Sequence, residues 1–544
     1  MIGTYIEHFP VGYSPTDEQI RIINGIEKAF NSKKKFVICC APTGSGKSFI
    51  AKTLQGLTKP PTDEFRRLIT SYDAYKKEFD GGYTYTAECI EEPSFGSFVL
   101  TITKTLQDQY QQLFNDITIL KGKTNYRCDV DDNFDTELAP CTFAPRIKDQ
   151  CWIENRCPYY NARNEVLTST LAALNYKMFF SLPEHVKKKN FLVCDEASEL
   201  EDEIIRHFSA EVIYEKLDNY GIPYKTLVTD NNQRALNWIT ELATNILEVL
   251  NDLTTKATSK TRPIALSQSE QIKYTYLKNL HHSLTSLIGL WSKGEYIVEI
   301  DAKRVLITPL KADFLSDSIF SYGDKIVLLS ATIIDHRNFA RSLGIKDYEY
   351  IEVSSNFDPK KSPIYVSSKY KLNYKTLKNS LPGVCQQIDQ ILDHHKNDKG
   401  IIHTHTLEIT EFIRSRVNSD RLLFRSTNAT NEDILKIHMD NKNPTVLVSP
   451  SLTYGIDLSD ELARFQIIVK LPFPSLASKR VKQIFENDKD WYENKMLNSI
   501  VQASGRATRN KDDYSTTYIL DGNFINVVAR SKNKLPKHFI ERIH

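Results

Sequence analysis

Short continuous apolar runs, each stopped by glycine, hydroxyl or acidic residues, recur along this chain. Phe36-Val-Ile-Cys-Cys-Ala41, Phe98-Val-Leu-Thr-Ile-Thr103, Phe191-Leu-Val-Cys194 and Lys325-Ile-Val-Leu-Leu-Ser330 are four of them. Runs of this length without polar alternation predict strands covered on both faces, as in a parallel sheet flanked by helices. The pattern restarts at Gly400-Ile-Ile-His-Thr404, Thr445-Val-Leu-Val-Ser449 and Phe465-Gln-Ile-Ile-Val-Lys470. The expected fold is α/β, with two doubly wound parallel sheets in tandem and ligands at the carboxyl ends of the strands.

Three stretches fit neither sheet. Residues 60–96 are polar and charged, and are expected to form a surface excursion. Residues 121–165 collect four cysteines. Residues 208–300 hold two apolar stripes at helical spacing, Leu236-Ile239-Leu242-Ile246-Leu250 and Leu277-Leu280-Leu284-Leu287-Trp291, which predict a helical hairpin with buried seams.

Composition narrows the class. A chain of 544 residues exceeds one core, so several domains are expected. Its 41% hydrophobic and 25% charged residues describe an ordinary globular protein. With a net charge of +2, any nucleic-acid partner must be held by local patches rather than by overall attraction. No apolar run approaches the ~20 residues of a membrane span, and the N-terminus lacks a signal pattern. A cytoplasmic location is the default expectation. Nine cysteines, an odd number, do not read as a disulfide framework. Cys39, Cys40 and Cys194 fall within apolar runs and are expected to be core residues.

The first strand opens directly into Ala41-Pro-Thr43-Gly44-Ser45-Gly46-Lys47-Ser48, a phosphate loop. Its glycines admit phosphates to backbone N–H groups, Lys47 reaches the β- and γ-phosphates, and Ser48 coordinates Mg²⁺. Asp195-Glu196 ends the third run. An acidic turn could be merely solvated, but at a strand end it suits a metal-holding Asp195 and a water-activating Glu196. Ser330-Ala-Thr332 closes a fourth strand. Gln502-Ala-Ser-Gly-Arg506-Ala-Thr-Arg509 places two arginines on one helix face, where they can stabilise a transferring phosphoryl group from across a cleft.

Cys128, Cys141, Cys151 and Cys157 lie between the phosphate loop and the acidic pair, with gaps of 12, 9 and 5 residues. Thiols collected in one segment point to a metal or a cluster. The lack of a Cys-x-x-Cys pair favours a cluster over zinc.

These motifs, in this order, resemble the iron–sulfur superfamily-two DNA helicases of the XPD/DinG group. The resemblance spans nearly the whole chain. It includes Thr101-Ile-Thr-Lys104-Thr-Leu-Gln-Asp-Gln109, Gly122-Lys-Thr-Asn-Tyr-Arg-Cys128, Asn175-Tyr176, Asn356-Phe-Asp-Pro359, Ser451-Leu-Thr-Tyr-Gly455-Ile-Asp457 and Lys470-Leu-Pro-Phe-Pro474. It implies two RecA-like motor domains, the first built from residues 1–115, 166–207 and 301–352 and the second from 353–544. A cluster domain (116–165) and an arch-like helical insertion (208–300) would interrupt the first. It also implies ATP and Mg²⁺ as cofactors, a four-iron four-sulfur cluster on the four cysteines, and 5′-to-3′ translocation on single-stranded DNA.

By the same resemblance Gln19 reads the adenine and Asp457 links the nucleotide to the DNA groove. Thr103, Lys104 and Thr105 in the first domain, with Ser451 and Thr453 in the second, carry hydroxyls and a charge suited to phosphate contacts. Single-stranded DNA and tailed duplexes are the expected partners of a monomer. One departure stands out: the acidic motif ends in Ser198, where the group usually has histidine. A translocase that strips RNA or protein from DNA, and a redox-responsive DNA-binding protein with a vestigial ATPase, are the alternative functions.

Overall fold

The computed structural model of the chain describes residues 4–42, 44–70, 94–142, 145–258, 266–354, 358–426, 429–450, 460–505 and 513–544. Two parallel sheets and one small antiparallel sheet organise it. The first sheet takes β1 (Phe36–Cys40), β2 (Ser97–Thr101), β3 (Thr118–Leu120), β4 (Leu171–Asn175) and β5 (Lys189–Cys194) from the first part of the chain. The small sheet follows with β6 (Ala210–Ile213), β7 (Tyr296–Ile300) and β8 (Arg304–Pro309). The chain then returns to the first sheet with β9 (Gly323–Ser330) and β10 (Tyr348–Glu352). The second sheet is β11 (Ile364–Tyr370), β12 (Gly400–His403), β13 (Leu422–Phe424), β14 (Val446–Ser449), β15 (Phe465–Ile468) and β16 (Thr516–Asp521).

The strand orders are β10-β1-β9-β5-β2-β4-β3 and β11-β16-β15-β12-β14-β13, all parallel, so both expected doubly wound sheets form. The apolar runs are two-sided, as read. Ile38, Leu100, Leu192 and Leu328 enter the core on one face of the first sheet, while Val37, Val99, Val193 and Val327 enter the core on the other. Cys39, Cys40 and Cys194 are buried in the same layers.

The helices that matter below are α1 (Asp17–Asn31), α2 (Lys47–Gly56), α3 (Lys104–Leu113), α4 (Pro145–Ile153), α5 (Pro158–Thr168), α6 (Leu200–His207), α7 (Asn232–Thr258), α8 (Gln268–Leu290), α9 (Lys479–Asn487) and α10 (Lys489–Ser504). Helices α7 and α8 pack along Leu242, Ile246, Leu277, Leu280 and Leu284, the stripes that the spacing predicts. Sequence reading gave this insertion helices only. The antiparallel sheet β6-β8-β7 at its base is an addition, and it shares the core of the helices through Val212, Val298, Val305 and Ile307. Most of the excursion assigned to residues 60–96 lies outside the described residues, as do Asn356 and Phe357. No described helix is long and apolar enough to cross a membrane.

Candidate nucleotide site and cysteine cavity

The phosphate loop leaves β1 with Ala41 N donating to Ser330 O of β9 at 2.9 Å. Gly44 and Gly46 take φ of +80° and +73°, and Gly46 is the left-handed N-cap of α2. A Cβ on Gly46 would stand 2.2 Å from Gln19 Nε2, so both backbone and space demand glycine here. The α2 N-terminus thus points its free N–H groups at the loop, a ready anion site. Lys47 Nζ lies 3.5 Å from Ala41 O, above that loop. Ser48 reaches the hydroxyl of Tyr110. Thr43 lies outside the described residues.

Gln19 is buried against the loop. Its Oε1 accepts from Thr16 N at 2.9 Å, and its Nε2 donates to the carbonyls of Ser45 and Gly46 at 3.2 and 3.4 Å. The side chain therefore ties the start of α1 to the phosphate loop.

The acidic pair sits one strand away from β1 in the order β1-β9-β5. Asp195 is 5% exposed. Its Oδ2 accepts from the Tyr110 hydroxyl at 3.1 Å, its Oδ1 from Glu196 N at 2.9 Å, and its backbone carbonyl from the Tyr176 hydroxyl at 3.0 Å. Burial, helped by the Glu196 charge, pushes its carboxyl up to about 6, against the pull of Lys47. A group in this state has much to gain from a cation. Glu196 occupies the left-handed region at φ +50°, a strained turn of the kind that clusters at functional sites.

Two links leave this pair. Gln502 Nε2 of the second domain lies 3.5 Å from Glu196 Oε2. Ser330 Oγ donates to Ser198 Oγ at 3.1 Å and accepts from Thr332 N at 3.2 Å, so the serine of the acidic motif and the Ser-Ala-Thr motif form one hydrogen-bonded unit. Thr332 Oγ1 is buried and unpartnered among the described residues. Arg506 and Arg509 lie outside the described residues, as do Ser451, Thr453 and Asp457.

Sequence reasoning missed Tyr110. It is the one aromatic in helix α3, and it bridges the two metal-side candidates Ser48 and Asp195. Upstream on the same helix, Thr103 Oγ1 caps the N-terminus by accepting from Leu106 N at 3.3 Å. Lys104 Nζ donates to Asn125 Oδ1 in the cysteine segment at 2.8 Å, and Thr105 is exposed. This corner joins a candidate DNA-contact loop to the cysteine segment.

Cys128, Cys141, Cys151 and Cys157 all line one cavity of about 50 Å³, between α4, the start of α5 and the preceding loops. Lys123, Lys148 and Lys278 line it too, and Lys278 comes from α8 of the helical insertion. Burial and then the neighbouring cysteines push the Cys141 thiol up to about 12, and burial also raises Cys151 and Cys157. Among the described residues no three His, Cys, Asp or Glu side chains are arranged to hold a single metal ion. The observation that bears on a cluster is the shared cavity: four thiols face one space with three lysines on its wall, a donor set that fits an anionic polynuclear group.

Comparison with known proteins matches this architecture. Residues 390–542 match the helicase C-terminal domain family. The ATP-dependent DNA helicase XPD of Sulfolobus acidocaldarius is 23% identical over 439 residues, covering 72% of this chain and 76% of XPD. The ATP-dependent DNA helicase CHL1 of Debaryomyces hansenii is 32% identical over 96 residues, 14% of this chain and 12% of CHL1. The CHL1 of Scheffersomyces stipitis is matched over 25% of its length, so the chain spans only a small part of these relatives. Among solved structures, an XPD helicase superposes with a TM-score of 0.63 at 18% identity, covering 98% of this chain and 99% of that one. The Xpd4 structure of S. tokodaii superposes at 0.54, with 14% identity and 95% and 97% coverage.

The fold defines the class: two tandem RecA-like domains of parallel sheet, as in the XPD structures. Within that class the chain is XPD/DinG-like, and the resemblance read from its motifs holds across both motor domains.

Proposed function

We propose that this chain is an ATP-dependent DNA helicase that moves 5′ to 3′ on single-stranded DNA. The observation that supports it best is the two-sided nucleotide site. The phosphate loop, Asp195 and Glu196 stand side by side on one sheet, and Gln502 from the second domain reaches Glu196 across the cleft. Lys47 neutralises the β- and γ-phosphates, Ser48 and Asp195 hold Mg²⁺, and Glu196 takes the proton of the attacking water. Arg506 and Arg509 follow α10 in the chain and supply the positive charge that offsets the negative charge developing on the transferring phosphoryl group. Gln19 sets the loop and reads the adenine, and Asp457 couples nucleotide to DNA. The strand runs over Thr103, Lys104 and Thr105 of the first domain and Ser451 and Thr453 of the second, held by its phosphates and therefore without sequence preference. The partners are single-stranded DNA and tailed duplexes, and the protein works as a cytoplasmic monomer.

Cys128, Cys141, Cys151 and Cys157 would hold a four-iron four-sulfur cluster, which when bound supplies a rigid anionic node beside the DNA path. Lys123, Lys148 and Lys278 are placed to balance its charge.

The test is ATP turnover with and without single-stranded DNA. The parent chain is expected to be stimulated on the order of tenfold or more, and Lys47→Ala to lose turnover while still binding the strand. Unstimulated parent turnover, or substantial turnover in Lys47→Ala, would overturn the reading.

A further inference from the structure

The acidic motif is tied to the second domain at a point beyond the nucleotide site. Six residues after Asp195, on the first turn of α6, Glu201 is 5% exposed and carries no role in phosphate or metal binding. Among the described residues, its side-chain partners come from the second domain. Arg480 of α9 donates to its Oε1 at 3.2 Å, the Trp491 indole of α10 approaches both oxygens at 3.0 and 2.9 Å, and Lys495 of α10 stands 3.3 Å from Oε2. Lys495 also donates to Asp202, the next residue of α6, at 2.8 Å. Arg480 is itself pinned to the end of β8, its Nε donating to the carbonyls of Pro309 and Leu310 at 3.1 Å each.

The helix pair α9–α10 is docked along its length. Glu299 of β7 accepts from Ser478 Oγ at 3.2 Å and from Lys479 N at 2.7 Å, where α9 begins. Asp488, between the helices, is held by Asn338 Nδ2 at 3.2 Å and by Arg341 at 2.8 Å. Leu310, Ile484 and Trp491 form a small apolar core beside the carboxylate.

Two features decide what this arrangement is for. A buried carboxylate with one buried and one half-buried cation is a poor source of net stability, because desolvation consumes most of the attraction; its best-attested use is to fix a register. The helix whose register it fixes is α10. Trp491 and Lys495 lie on it, Gln502 lies near its end and reaches Glu196, and the chain runs from it into Arg506. Trp491 and Gln502 are about 16 Å apart along a straight helix, so the clamp and the nucleotide site hold α10 at two separate points.

We propose that Glu201 is a positioning residue for ATP hydrolysis, fixing α10 so that Gln502 stands against Glu196 where the nucleotide binds. This rests on the ATPase reading above. It touches no substrate; it sets where the second domain's groups stand when the cleft closes.

The experiment measures kcat and KM for ATP at saturating single-stranded DNA, together with binding of a fluorescent ATP analogue. Glu201→Gln is expected to lower kcat about tenfold while KM and analogue affinity stay within about threefold, the signature of a lost transition-state arrangement. In the Gln502→Ala background the same change is expected to cost less than it does alone, because both act through one helix. Arg480→Lys keeps the charge but cannot reach Glu201 and both carbonyls at once, so it is expected to show the same split more weakly. If Glu201→Gln fails to bind the analogue, it has lost its fold and Arg480→Lys decides on the same numbers. A parent-like kcat in the folded variant, losses that simply multiply with Gln502→Ala, or a rise in KM alone would overturn the inference and leave the ATPase reading standing. A parent chain without DNA-stimulated turnover would overturn both.

Discussion

At Ser198 the chain departs from the family it resembles, and the local geometry shows what the serine does. Its hydroxyl accepts from Ser330, whose backbone carbonyl also receives the first N–H of the phosphate loop. An imidazole could span a longer gap and would titrate near neutrality; a hydroxyl pair needs close approach and is indifferent to pH in that range. Removing the Ser330 hydroxyl strands that of Ser198 in a buried site, a loss on the order of 1 kcal/mol or more, whereas Ser330 keeps Thr332 N when Ser198 is truncated. Ser198→Ala and Ser330→Ala are each expected to lower DNA stimulation of ATP turnover more than they lower the basal rate. The double variant should be little worse than the worse single, because one contact has been removed twice. Multiplying losses would separate the two serines and return Ser198 to a bystander. The placement of these residues was legible in the sequence wherever it is tied to a local motif at a strand end, as for Lys47, Asp195 and Ser330. Tyr110 was not, because its role is made by the fold: α3 must pack beside β5 before its hydroxyl finds Asp195. Glu201 was hidden for the same reason, its partners lying 279 to 294 residues away in the chain.

Among the elements, the parallel strands announced themselves because burial on both faces leaves no polar alternation to confuse with a surface strand. Helices α7 and α8 were equally plain, since a stripe of leucines at three- and four-residue spacing admits one reading. The sheet β6-β8-β7 escaped because its strands are short and alternate, as in Tyr-Ile-Val-Glu-Ile, within a segment dominated by helix signals. The cysteine segment shows a different limit. Its spacing groups the four thiols in one segment, but their common cavity and the lysine of α8 that lines it are tertiary facts. If the cavity holds a cluster, protein purified without oxygen should be brown, with close to four irons per chain and no stoichiometric zinc. Cys151→Ser should lose the colour and the unwinding of tailed duplex first, keeping much of the ATP turnover, because none of the phosphate-loop or acidic-motif contacts involves that residue. One zinc and no iron on metal analysis would rule the cluster out.

For the molecule as a whole, the proposed function has two motor domains convert closure on a nucleotide into movement, with the insertions deciding what that movement does. Both insertions emerge from the first domain and meet each other, with Lys278 of α8 on the wall of the cysteine cavity and Lys104 joined to Asn125 at its edge. The second domain is tied back to the base of the same insertion through Glu299 and the carbonyls of Pro309 and Leu310. A strand drawn across the motor domains would therefore meet a braced element, which is what separating a duplex requires of a wedge. The cysteine segment from 121 to 160 carries six Lys/Arg against seven Asp/Glu, so such a wedge would act by shape rather than by bulk charge. Direction is the property that the resemblance alone supplies, and it can be measured outright. Duplexes carrying only a 5′ tail, only a 3′ tail, or none are mixed with protein and ATP, and strand release is followed. The 5′-tailed duplex is expected to open and the others to stay closed, with opening lost in Lys47→Ala. Preferential opening of the 3′-tailed duplex would place the chain apart from the XPD/DinG group in function. ATP turnover stimulated by single strands, with no duplex opened in either polarity, would favour a translocase that clears the strand without unwinding it.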